Sequence, residues 1–217
     1  HDGTGAWLDA IGEACEVPSS QVAAAKDKLL PLIRAALAAR PVSGKITVSG
    51  YEGSELLVAR LLIESGANVP YVGTACPRTR WSDPDRLWLE NRGVHIQFRA
   101  SLENDLAAVD FHEPDLAIGT TPVVQHAKAM GLPSLYFTNL ISARPLMGVT
   151  GAGSLAQVVN AAMANKGRMD AMKGFFEGVG EGHAAGIWHD TPRDRPEWRK
   201  KNAAKAGKTE MAMGGDI

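Results

Sequence analysis

Cysteine is scarce in this chain. Only Cys15 and Cys76 occur, far apart and without a CxxC partner. This excludes a disulfide framework and a self-contained zinc or iron–sulfur site, which needs three or four closely spaced ligands. Two reduced thiols instead fit a cytoplasmic protein. An excess of one charge is also missing, with 23 Lys+Arg against 24 Asp+Glu and a net charge of -1. That balance provides no overall field toward a nucleic-acid backbone or an anionic membrane, so no nucleic-acid partner is expected. No apolar run approaches the roughly 18–20 residues of a membrane span. His1 stands where an initiator Met would, with no charged n-region or apolar h-region behind it. The expectation is a processed chain or a piece of a longer one.

Nucleotide fingerprints are lacking too. Gly50-Tyr51-Glu52-Gly53 does not have G-x-G-x-x-G spacing and sets an acid where a pyrophosphate would lie, and no Asp or Glu ends the following strand to hold a ribose. Gly44-Lys45 resembles a P-loop end, but Ile46 replaces the magnesium-binding Ser/Thr. No nucleotide is therefore expected on this chain. His1, His95, His112, His126, His183 and His189 form no HExxH or other short metal spacing, so no metal site is expected within the chain. His112-Glu113 falls before a strand, away from any strand-end crevice, and reads as surface.

What is present is an apolar fraction of 45% over 217 residues, enough for a sizeable core. Residues 1–40 read as a helical lead-in from a preceding domain. Residues 1–18 show no clear period, and a helix begins at Ser19 or Ser20, either of which can cap it. Pro31 either kinks that helix or starts a second. Residues 41–165 read as a Rossmann-like α/β domain. Strands are expected at 45–49, 68–74, 94–98, 115–119 and 133–137, with helices at 54–65, 83–91, 102–109 and from Thr121-Pro122 to Gly131. Apolar strands alternating with amphipathic helices indicate a parallel sheet flanked by helices on both faces. An irregular stretch to Gly153 precedes an Ala-rich helix from Ser154. Residues 166–217 read as a C-terminal helix and basic tail.

In such a sheet, ligands bind at the carboxyl ends of the strands. The loops to inspect are thus 50–53, 74–80, 99–101, 120–121 and 138–151. The run Gly148 to Ser154 is either an anion cradle or a plain loop before a Ser-capped helix. Cys76-Pro77-Arg78 with Arg80 either binds an acidic group or is a solvated loop.

Two stretches are specific. Val48 to Leu57 (VSGYEGSELL) and Tyr136 to Gly148 (YFTNLISARPLMG) resemble the Y-subunit family of chlorophyllide a reductase, a nitrogenase-like enzyme of bacteriochlorophyll synthesis. The resemblance implies a Rossmann-like domain of the molybdenum–iron-protein type and an oxidoreductase acting on the chlorin B ring of chlorophyllide a. It implies a Z subunit as partner, an ATP-dependent iron–sulfur X protein as electron donor, and a [4Fe–4S] cluster whose ligands lie outside this chain. It also implies that Thr138, Asn139, Ser142, Arg144 and Met147 line the chlorophyllide pocket, Arg144 pairing with a propionate and Met147 contacting the ring face. Glu52 is then the candidate proton donor, or else a carboxylate favoured by a helix N-terminus. Alternatives are another nitrogenase-like reductase (dark-operative protochlorophyllide reductase or a cofactor-assembly scaffold) or a non-catalytic interface domain.

Overall fold

The order of strands across the sheet determines where a ligand can sit. The structure, a computed structural model, describes residues 2–142 and 148–169. Strands β1 (Lys45–Gly50), β2 (Asn68–Thr74), β3 (His95–Phe98), β4 (Leu116–Gly119) and β5 (Ser134–Tyr136) form one parallel sheet in the order β3-β2-β1-β4-β5. The chain runs outward from β1 in one direction and then returns to pair β4 on β1's other side. The connections on the two sides leave a crevice at the carboxyl ends of β1 and β4, the topological switch point.

Burial on both sides explains the apolar strands. Ile46, Val48, Val72, Leu116 and Ile118 join Leu56, Leu62, Leu155 and Val159 in the main core, beneath α3 (Glu55–Glu64) and α8 (Gly148–Met163). On the opposite face Ala117 packs with Val109, Val123 and Ala127, from α5 (Leu102–His112) and α6 (Thr121–Ala129). Full burial of a Leu or Val side chain contributes about 1.5–3 kcal/mol. The sheet is thus held by apolar area, while α5 is started by a capping box in which Asn104 N–H donates to Ser101 Oγ at 3.3 Å and Ser101 N–H to Asn104 Oδ1 at 3.0 Å. α4 (Asp83–Glu90) completes the layer beside α3.

The N-terminal residues differ from the sequence expectation. Asp2–Ala14 form α1, where no period was legible, because Gly5 and Gly12 are buried contact points on α2 (Ser19–Ala38). A Cβ on Gly12 would lie 2.5 Å from Val22 Cγ2, and one on Gly5 would lie 3.6 Å from Leu30 Cδ1. α2 is one helix through Pro31, and Pro18 occupies its N-cap, so neither serine caps it.

The segment after β5 also differs. β5 ends at Tyr136, and Phe137–Ser142 form α7, tied into the core by buried Phe137 and Leu140. α8 begins at Gly148 and not at Ser154, so the glycine-rich run is neither an anion cradle nor a loop. Gly151, Ala152 and Gly153 are buried; Ala152 packs on Ile33 and Leu37 of α2. Arg40 Nη1 donates to Gly153 O at 3.4 Å, and Asn160 Nδ2 to Pro41 O at 3.0 Å. Most of the expected C-terminal helix and basic tail lies outside the described residues. Among those described, no helix is long and apolar enough to cross a membrane.

Candidate functional site

Three strand ends converge at the switch point. Tyr51 follows β1, Gly119 ends β4 and leads into Thr120, Thr121 and Pro122 at the start of α6, and Tyr136 ends β5 before Thr138 and Asn139. Together they line a cleft of about 430 Å³. Two positions require glycine for space. A Cβ on Gly119 would lie 2.6 Å from Val123 Cγ1 and 2.7 Å from Ser49 Oγ, and one on Gly50 would meet Glu55 Oε1 and lie 2.9 Å from Phe137 Cδ1. Without those side chains, α6 and α7 can close on the strand ends.

The lining is rich in hydroxyls and carries no charged side chain. Tyr51 Oη and Thr138 Oγ1 lie 3.2 Å apart in a hydrogen bond that spans the cleft mouth. Thr120 is the N-cap of α6, but its side chain makes no capping hydrogen bond, which leaves first-turn N–H groups facing the crevice end. Gln125 Nε2 donates to Tyr136 Oη at 3.5 Å, and Lys128 Nζ stands 5.4 Å from the Tyr136 ring centroid. Such a surface can orient a flat, largely apolar ligand by aromatic contact and neutral hydrogen bonds.

The expected site residues fall unevenly. Thr138 and Asn139 line the cleft. Ser142 lies on α7, where its hydroxyl donates to Thr138 O at 2.6 Å. Arg144 and Met147 lie outside the described residues. Glu52 is exposed on the loop after β1; its N–H donates to Glu55 Oε1 at 2.8 Å. The loop after β2 uses its cations internally: Arg78 pairs with Asp83 at 2.8 Å and Arg80 lies over the Trp81 ring at 4.3 Å. The hydrogen bonds from Arg78 and Arg86 hold the Asp83 carboxyl below its usual range.

Sequence reasoning missed two buried acids. Glu55, fully buried in the first turn of α3, accepts from Thr74 Oγ1 at 2.9 Å through its other oxygen. Asp105 in α5 is 7% exposed and accepts from Tyr71 Oη at 2.9 Å. Burial pushes the Asp105 carboxyl up to about 6; the Tyr71 hydrogen bond opposes this, and the Glu55 charge adds to it. Tyr71 is in turn driven upward by burial and by Asp105. A signal existed for both acids. Glu55 continues the buried stripe Val58, Ala59 and Leu62, and Asp105 continues that of Ala108 and Val109. His112 is likewise not a surface residue, being half-buried with its ring 6.4 Å from that of Tyr71. Burial lowers its pKa, with Lys45 and His95 adding to the effect.

Residues 1–164 match the family of nitrogenase component 1 type oxidoreductases. This chain belongs to that family. Within it, the "Chlorophyllide reductase 52.5 kDa chain" of Cereibacter sphaeroides is 65% identical over 216 residues, covering 97% of this chain and 43% of that one. The protein of the same name from Rhodobacter capsulatus is 65% identical over 208 residues, covering 96% and 42%. The chain thus spans less than half the length of these relatives. A solved nitrogenase Cp1 structure shares the fold, with a TM-score of 0.56 and 20% identity over 76% of this chain and 38% of its own. Family members of this kind work with iron–sulfur clusters, but the described residues contain no group of three His, Cys, Asp or Glu side chains placed to hold a metal. Cys15 is exposed after α1 and Cys76 is half-buried after β2. The donor set on the described residues does not fit a cluster.

Proposed function

We propose that this chain is part of the catalytic component of a nitrogenase-like reductase that reduces the chlorin B ring of chlorophyllide a. The observation that carries this reading is 65% identity over nearly the whole chain to two proteins named as a chlorophyllide reductase chain. The intact component pairs this subunit with a Z subunit and takes electrons from an ATP-dependent iron–sulfur X protein. Its [4Fe–4S] ligands lie outside this chain.

The switch-point cleft serves as one wall of the pigment site. Thr138 and Asn139 present hard oxygen and nitrogen donors, suited to hydrogen bonding with the substituents of a macrocycle and poor as ligands for a soft metallocluster. Ser142 braces Thr138 from behind. Arg144 pairs with a propionate and Met147 contacts the ring face, as the sequence resemblance implies. Electrons and protons add across a carbon–carbon double bond, and Glu52 on the loop beside Tyr51 is the candidate proton donor. The protein contributes orientation, exclusion of water and a positioned acid.

The test is reconstitution of the full-length subunit with its partners and assay with chlorophyllide a against protochlorophyllide. Turnover of chlorophyllide alone supports the reading; turnover of protochlorophyllide alone replaces it with the other nitrogenase-like reductase. An Arg144→Ala complex with unchanged substrate affinity and turnover removes the role given to Arg144, and full activity in Glu52→Gln removes that of Glu52.

A further inference from the structure

Glu55 is a fully buried carboxylate whose hydrogen bonds, among the described residues, come from no cationic group. Burying a charge in this way is expensive unless it is well bonded. Its two oxygens are used for separate purposes. Oε1 accepts from Glu52 N–H in the loop after β1, and Oε2 accepts from the Thr74 hydroxyl at the end of β2. Thr74 Oγ1 also accepts from Cys76 N–H at 3.2 Å, and Cys76 Sγ donates to Tyr51 O at 3.6 Å. Ala75 N–H closes the same junction on Gly50 O at 2.9 Å. All of these bonds fix the backbone on either side of one exposed side chain, Tyr51. Its phenol stands at the cleft with its oxygen on Thr138.

We propose that Glu55 is a positioning residue: through Glu52 N–H and the Thr74 hydroxyl it holds the loop after β1 so that the Tyr51 phenol meets the ligand in the switch-point cleft. Tyr51 then acts as a binding residue that selects ligands by a hydrogen bond as well as by ring contact. The inference rests on the reading that this cleft receives chlorophyllide. Gly50 belongs to the same device, since any side chain there would push Glu55 out of its place. A loop fixed in this way presents its phenol without an ordering penalty on binding.

The test uses the full-length subunit in the reconstituted complex, reading KM, kcat and the spectral titration of chlorophyllide. Thr74→Val keeps the side-chain shape and removes the bond to Glu55 Oε2; Glu55→Met keeps the side-chain length and removes the acceptor for Glu52 N–H. Each is expected to raise KM roughly 3- to 10-fold with kcat little changed, the size of one lost hydrogen bond. In a Tyr51→Phe background the same substitutions are expected to change KM less than about 2-fold, because the hydroxyl they place is gone. Equal effects in both backgrounds, or none in either, would overturn the proposal, since a purely structural role is additive. Asn139→Ala separates this failure from failure of the pocket itself. If Asn139→Ala raises KM and Tyr51→Phe does not, the pocket stands and the role of Glu55 falls; if neither variant alters KM or the titration, both fall.

Discussion

Buried Asp105 makes stability respond to pH in the opposite sense from ordinary acid denaturation, and replacing it with Asn removes that response. The carboxyl titrates at 3.8 when unperturbed and at about 6 in the fold, chiefly because it is buried. The folded state therefore binds the proton more tightly than the unfolded chain. Stability from this group is full below 3.8 and falls as pH rises toward 6, leaving a penalty of about 3 kcal/mol at neutral pH. Asp105→Asn keeps an oxygen to accept from Tyr71 but adds an amide N–H pair that the site does not satisfy, at a cost of about 1–2 kcal/mol. The variant should thus be about 1–2 kcal/mol less stable than the parent near pH 4 and about 1–2 kcal/mol more stable near pH 8. Urea midpoints at both pH values read this crossing directly, and comparison with the parent cancels the titrating groups that are not coupled to Asp105. An equal difference at the two pH values would refute the placement of a strained acid between Tyr71 and the sheet.

Three further outcomes follow from single contacts. His112 has its pKa lowered by burial, so its contribution is present above about 6.5 and is lost as pH falls below that value toward the lower folded pKa; His112→Gln should flatten the acid side of the stability profile measured by urea unfolding. Gly12→Ala should destabilise the parent, because its Cβ meets Val22 Cγ2, yet stabilise a Val22→Ala chain by up to about 1 kcal/mol through helix propensity, a sign change visible in thermal melts. Ser101→Ala removes the capping box of α5 and should cost about 1 kcal/mol, with amide exchange faster in the first turn of α5 and unchanged in α3.

The parallel sheet was legible because its signals are local. Strand 68–74 has the predicted bounds, and the other four strands and the helices between them fall within a few residues of their predicted positions. β-branched runs such as Ile46-Thr47-Val48, and the stops at Gly66, Gly93 and Gly131, each report on their own neighbourhood. The crevice position also followed from topology alone, and Thr138 and Asn139 do lie on it. What stayed hidden was the identity of the side chains that hold the crevice in shape. Glu55 and Asp105 look like solvated helix residues until the stripe they stand on is known to be buried, and Tyr51 looks like a turn residue until Thr138 is found 3.2 Å away.

The two larger departures have one physical cause. Glycines obscure the helical period of α1 and the start of α8, in keeping with their cost in a helix of about 1 kcal/mol each. Both helices instead use them where another helix approaches. Gly5 and Gly12 of α1 face Leu30 and Val22 of α2, and Gly153 of α8 faces Ala36 on the same helix. α2 therefore runs between two glycine-bearing surfaces, one at each side of its sequence. The α2–α8 contact offsets the loss at Gly153 through packing of Ile33 and Leu37 with Ala152, since each buried Leu or Ile contributes about 1.5–3 kcal/mol. It follows that α2 is more than a tether to the sheet. It clamps α8, whose Leu155, Ala156 and Val159 roof the main core beneath which β1 and β4 end. A substitution that swells the α2–α8 contact, such as Gly153→Val, should therefore loosen the crevice end of the sheet as well as α2 itself. Amide exchange rising in α8 and at Gly119 together, and not in α2 alone, is the result this coupling requires.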